Sequence, residues 1–116
     1  MKLLSAFLLA MASACSQPSE GERIALMDAI DLRIVMPPKA HPLRDYARYY
    51  ARRYDGKIAI FFTDYVDMTS TPKAGDRQWI DVRSMLEASD GGCGIINAIY
   101  DPATDRFDSM ECNGPD

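Results

Sequence analysis

Residues able to do chemistry are few in this chain of 116. His41 is its only histidine and stands in a connection just before Pro42. An imidazole can act as a general base or a ligand, but it needs a carboxylate or thiolate beside it, and the sequence places none nearby. An exposed loop histidine is the expectation. Asp64, Asp67, Asp101, Asp105 and Asp108 are the carboxylates available to pair for acid–base work or to hold calcium. The segment 101–108 lacks the glycine and closing glutamate of an EF-hand loop, so loop acids on a solvated rim are expected. Gly91-Gly92-Cys93-Gly94 has neither the lysine nor the following helix of a phosphate-cradling loop. Cys93 and Cys112 have no second pair, which excludes a zinc knuckle on ligand count. No serine sits in a nucleophile elbow, and a triad would have to recruit His41. No catalytic set, metal site or cofactor follows from these residues.

The third cysteine, Cys15, follows a leader-like stretch. Met1-Lys2 is a short positive start, and Leu3 to Ala12 is an apolar run broken only by Ser5. A bilayer span needs about 20 apolar residues, so this run fits a signal-peptide core instead. Ala12-Ser13-Ala14-Cys15 resembles the lipobox of bacterial lipoproteins, in which a small residue precedes a cysteine that is lipidated and becomes the mature N-terminus. The third position before Cys15 is Ala12 where that family usually has leucine. Ordinary signal-peptidase cleavage after Ala12-Ser13-Ala14 therefore stays open, and with it a soluble periplasmic or secreted protein. Parity favours lipidation: with Cys15 acylated, Cys93 and Cys112 remain as an even pair in an oxidising compartment. Ser16, rather than aspartate, follows Cys15, which by the same resemblance implies the outer membrane, facing the periplasm.

Residues 1–14 then form the signal peptide, 15–19 a lipid-anchored tether, and 20–116 a single small domain. Loss of Lys2 leaves 12 basic against 17 acidic residues, a net charge of −5. Such a balance gives no footprint for nucleic acid. Charge is uneven: five basic residues lie between Arg44 and Lys57, and seven acids between Met85 and Asp116.

Ser19-Glu20-Gly21-Glu22 matches a capping box, and Ile24, Met27 and Ile30 follow at helical spacing, predicting a helix over 20–31. Leu32 to Met36 reads as a short edge strand stopped by Pro37-Pro38. Segment 43–54 is ambiguous between helix and strand. A strand is preferred, because Asp55-Gly56 then closes a hairpin with 57–63. With Tyr54 opposite Lys57, Ala47, Tyr49, Ala51, Ile58, Ile60 and Phe62 form the core face. Tyr46, Arg48, Tyr50 and Arg52 share the other, an alternation of two residue types enriched at interface hot spots. Those four are the candidate partner-binding residues, with cross-strand bracing and burial under the helix as the competing readings. Arg77 to Arg83 predicts one more strand. Last, Ile95–Tyr100 and Arg106–Glu111 predict a hairpin around a 101–104 loop, with Tyr100 facing Asp105 and Cys93 opposite Cys112, within reach of a disulfide.

The expected fold class is α+β: an N-terminal helix packed on an antiparallel sheet of five or six short strands, its C-terminal hairpin closed by a disulfide. Ala40-His41-Pro42-Leu43 with Tyr46 to Tyr50, and Asp101-Pro102-Ala103-Thr104 with Cys112-Asn113-Gly114, resemble small uncharacterised bacterial exported proteins, a likeness that implies no activity. The expected function is that of a non-enzymatic envelope lipoprotein, held to the membrane through Cys15, whose domain binds a protein partner of inhibitor, immunity or assembly-accessory type. The alternative is a small periplasmic enzyme or ligand-binding domain using His41 or the aspartates in a cleft.

Overall fold

The computed structural model describes residues 17–65 and 72–114. The signal peptide, Cys15 and Asp67 lie outside the described residues. Helix α1 spans Glu20–Asp31 and starts from a formed capping box. Ser19 Oγ accepts from the Glu22 N–H at 3.2 Å, and the Glu22 carboxylate accepts from the Ser19 backbone N–H at 3.5 Å. These bonds satisfy donors that the first helical turn cannot pair internally. Its buried stripe is narrow. Met27 and Ile30 join the core, whereas Ile24 stays exposed.

Five strands follow: β1 (Ala47–Arg52), β2 (Ile58–Thr63), β3 (Arg77–Trp79), β4 (Gly92–Asp101) and β5 (Arg106–Asn113). They form one sheet in the order β3-β1-β2-β4-β5. The class is α+β, but the sheet is mixed rather than antiparallel. β3 lies parallel to β1, because the chain leaves β2, returns past the start of β1 and runs up its far side. Gly75 and Ile80 donate backbone bonds to the Tyr46 and Tyr50 carbonyls, each at 2.8 Å.

Two expected strands are corrected. The Arg77–Arg83 strand stops at Trp79, and Asp81 caps a 3-10 turn at Val82–Ser84. Leu32–Met36 is no strand at all. It is a strap that leaves the helix through a turn at Leu32 and Arg33 and crosses the core face of the sheet without a ladder partner. Ile34 and Met36 pack inward, while Leu32 and Val35 are 84% and 80% exposed.

Segment 43–54 resolves into a 3-10 turn at Leu43–Asp45 and then strand β1. The hairpin that follows has a three-residue loop. Arg53 N–H bonds to the Lys57 carbonyl at 2.8 Å, and Gly56 takes φ 86°, which a side chain tolerates poorly. Tyr54 therefore does not face Lys57, and Tyr50 pairs with Ile60 rather than Phe61. A slip of one residue exchanges the faces of a strand. The expected sorting is overturned: Arg48, Tyr50 and Arg52 stand on the same side as Phe62, Ile60 and Ile58.

The last hairpin is also shifted. Its loop is Pro102–Asp105, Tyr100 faces Phe107, and a bulge at Asp108 precedes the Ile99–Ser109 pair. Cys112 pairs with Ile96 in the ladder, not with Cys93. Further on, Gly92 faces Asn113, so residues 93–95 are extra on β4 and bring Cys93 back beside Cys112. The Cys93–Cys112 disulfide forms with its Cα atoms 4.5 Å apart.

Candidate functional site

Tyr46 and Tyr50 are completely buried and Arg48 is 5% exposed. The candidate partner face is thus the floor beneath α1, and the correction follows from the hairpin register. An arginine head needs acids there, and the helix supplies them. Arg48 Nη2 donates to Asp31 Oδ2 at 2.9 Å, and its Nε donates to the Tyr50 hydroxyl at 2.9 Å. The Tyr50 hydroxyl in turn donates to Asp31 Oδ1. From β3, Arg77 Nη1 donates to Asp28 Oδ1 at 2.7 Å and to Asp31 Oδ2 at 3.0 Å. Burial, then the bond to Asp31, pushes the Tyr50 phenol far above its ordinary range. The tyrosine stays a neutral donor to Asp31. A carboxylate so committed has little left for a ligand. The network locks helix to sheet.

Arg52 is half-buried at the end of β1, its Nε without a hydrogen-bond partner. Sequence reasoning missed Asp28, Asp31 and Arg77. The available signal was the i, i+3 spacing of two aspartates at the end of an amphipathic helix.

His41 is an exposed loop histidine, as expected, but it has a carboxylate neighbour that its sequence surroundings do not supply. Its Nε2 lies 3.4 Å from Asp64 Oδ2, a residue 23 positions away in sequence. The His41 backbone N–H donates to the Tyr46 hydroxyl at 3.1 Å, and Tyr46 donates to the Cys93 carbonyl at 2.5 Å. One buried phenol thus ties the His41 connection to the disulfide strand. Gly94 completes the arrangement, since a Cβ there would sit 2.7 Å from Asp64 Oδ1. A histidine oriented by a carboxylate can move a proton. Among the described residues, no serine, threonine or cysteine side chain bonds to the imidazole.

The remaining aspartates do not converge. Asp101 caps its own turn through the Ala103 N–H. Asp108 pairs with Lys57 at 2.5 Å. Asp105 accepts from Arg33 at 2.7 Å and from the Tyr100 hydroxyl. Those two bonds, Tyr100 first, hold its carboxyl below the usual range. No group of three metal-ligating side chains exists among the described residues.

The strap and β5 enclose a groove of about 390 Å³ lined by Arg33, Val35, Asp105, Arg106, Phe107 and Met110. Its floor is aromatic and thioether, its rim charged.

Comparison with known proteins adds no relative. No family model matches the chain, and neither a curated protein nor a solved structure matches it. The functional reading therefore rests on the residues themselves.

Proposed function

We propose that this chain is an exported lipoprotein, anchored through Cys15 in the outer membrane, whose periplasmic domain binds an envelope protein. The observation that carries the reading is cysteine pairing. Cys93 and Cys112 are joined, which suits an oxidising compartment, and Cys15 is then the odd thiol behind a lipobox-like leader. Support for a binding role comes from the strap groove, where exposed Val35 borders an apolar floor that a partner side chain would fill.

Two measurements test this. Mass spectrometry of the mature N-terminus should find lipid on Cys15, and Cys15→Ala should release the chain from membranes. A photo-crosslinker at Val35 in intact envelopes should capture one defined protein, and Phe107→Glu should abolish that capture. An unmodified N-terminus in the soluble fraction would sink the anchor. A crosslinker that reacts only with water would sink the partner.

The second reading, a small periplasmic enzyme or ligand-binding domain, has one observation behind it: the His41–Asp64 contact. It requires that His41→Gln abolish a phenotype that the groove variant leaves intact.

A further inference from the structure

We infer that the strap groove takes an acidic peptide segment, seating one large apolar side chain on Phe107 and Met110 and a neighbouring carboxylate on Arg106. The inference rests on the groove being the partner site proposed above, and adds the chemistry of what it accepts.

Charge around the groove singles out one side chain. Three ionic residues line it: Arg33, Asp105 and Arg106. Arg33 and Asp105 are joined at 2.7 Å, and Asp105 also accepts from the Tyr100 hydroxyl. Those two charges cancel. Arg106 is exposed, and no carboxylate among the described residues lies within ion-pair distance of it. Yet it is the only basic residue between Met85 and Asp116, against seven acids. Its nearest acids in sequence are committed elsewhere, Asp105 to Arg33 and Asp108 to Lys57. The groove thus keeps one positive charge at its rim on a chain that is acidic overall. A guanidinium presents a planar fork that matches a carboxylate through two parallel bonds.

The dimensions suit a peptide. From Phe107 to Met110 the floor runs three residues along β5, about 10 Å at strand rise. Its volume of about 390 Å³ lies at the small end of ligand sites. Such a floor receives one or two side chains and is short for a long acyl chain. Phe107 and Met110 pack on the core but are only partly buried, so an incoming side chain would complete their burial. Met110, unbranched and polarizable, can adapt to side chains of different shape. The β5 ladder is irregular at Asp108, which opposes recognition by strand addition. Side chains therefore carry the specificity.

The test uses the full chain, processed in cells and purified from membranes in detergent, as bait for a library of random heptapeptides. Selected peptides should carry a large apolar residue within two positions of an aspartate, a glutamate or a free C-terminal carboxylate. Synthetic copies made as C-terminal acid and as amide tell those sources apart. Arg106→Gln should weaken binding about tenfold and leave the melting temperature unchanged, because the side chain has no internal acid to lose. Selection on Arg106→Glu should turn to peptides with lysine or arginine in place of the acid. A purely apolar surface would give no such reversal. Enrichment of apolar peptides without an acid, or binding indifferent to Arg106, overturns the inference. Displacement of the peptides by decanoate at equal concentration would assign the groove to an acyl amphiphile and overturn it as well. Capture at Val35 that Arg106→Glu leaves intact and Phe107→Glu abolishes removes the acidic specificity and leaves the partner site standing. Loss of all capture, with no peptide enriched, removes both.

Discussion

Asp31, the last residue of α1, accepts from Arg48 on β1 at 2.9 Å and from Arg77 on β3 at 3.0 Å. One carboxylate therefore joins the helix to two neighbouring strands, and both guanidinium groups arrive from the sheet. This geometry explains why a strand alternating tyrosine with arginine can face inward.

Arg48→Ala should act on stability and leave any association untouched. Removing one partner of a buried pair costs about 3–5 kcal/mol, and Asp31 keeps Arg77, so a loss of about 2–3 kcal/mol is expected. Urea unfolding should show a lower midpoint at unchanged slope. A loss under about 0.5 kcal/mol, the range of ordinary surface substitutions, would mean the seam is solvated.

Tyr50→Phe keeps the ring and removes the hydroxyl, leaving Arg48 Nε and Asp31 Oδ1 each one bond short. The expected cost is about 1–3 kcal/mol, the price of unsatisfied buried groups. A neutral result would show that water takes the place of the hydroxyl.

Alkaline pH should weaken the fold through Tyr100. Burial first, then the bond to Asp105, raises its pKa to about 12 from an ordinary 10.0. Between those values the unfolded chain has lost the proton and the folded chain keeps it, so stability falls as pH rises. Tyr50, raised for related reasons, adds to the same arm. At the acid end Asp105 has the opposite sign. Its lowered pKa contributes stability above the ordinary carboxylate range, and that contribution is lost as pH falls through the folded value. Tyr100→Phe should flatten both arms of a plot of melting temperature against pH. Unchanged arms would place the titration elsewhere.

Reduction of Cys93–Cys112 should lower stability by about 3 kcal/mol in the chain-entropy treatment of a loop this size. Guanidinium unfolding with and without reductant measures it directly. Free thiols in the native chain would contradict the pairing.

Two glycines should differ sharply. Gly56→Ala meets open space and suffers only from φ 86°, about 1–2 kcal/mol. Gly91→Ala has φ 120° and would also place a Cβ 2.8 Å from Ile95 Cγ1, so its loss should be clearly larger. Equal melting temperatures for the two variants would show that the 91–94 turn relaxes freely.

Local signals carried much of this fold. The Ser19–Glu22 capping box and the β-prone runs around Asp55-Gly56 mark elements through neighbours in sequence. Register was not so legible. Asp55-Gly56 suits a two-residue turn, yet the chain closes over Tyr54, Asp55 and Gly56, and that single residue turned an expected outer face into the floor of the core. The disulfide was anticipated from a uniform ladder. It forms instead because the shifted loop and the bulge at Asp108 together move the register by three positions, and the three extra residues at 93–95 move it back. The parallel pairing of β3 and the approach of His41 to Asp64 depend on distant chain segments, and no local pattern announces them.

The two ends of the sheet order bear on how copies of the domain meet at high local density. An open strand edge invites pairing of one sheet with another. Among the described residues, one edge is β3, a ladder of three residues. The other is β5, interrupted at Asp108 and studded with Arg106, Asp108 and Glu111. Neither offers a second copy a long, flat, apolar row of free amides, so crowded copies of the domain do not template one another's aggregation.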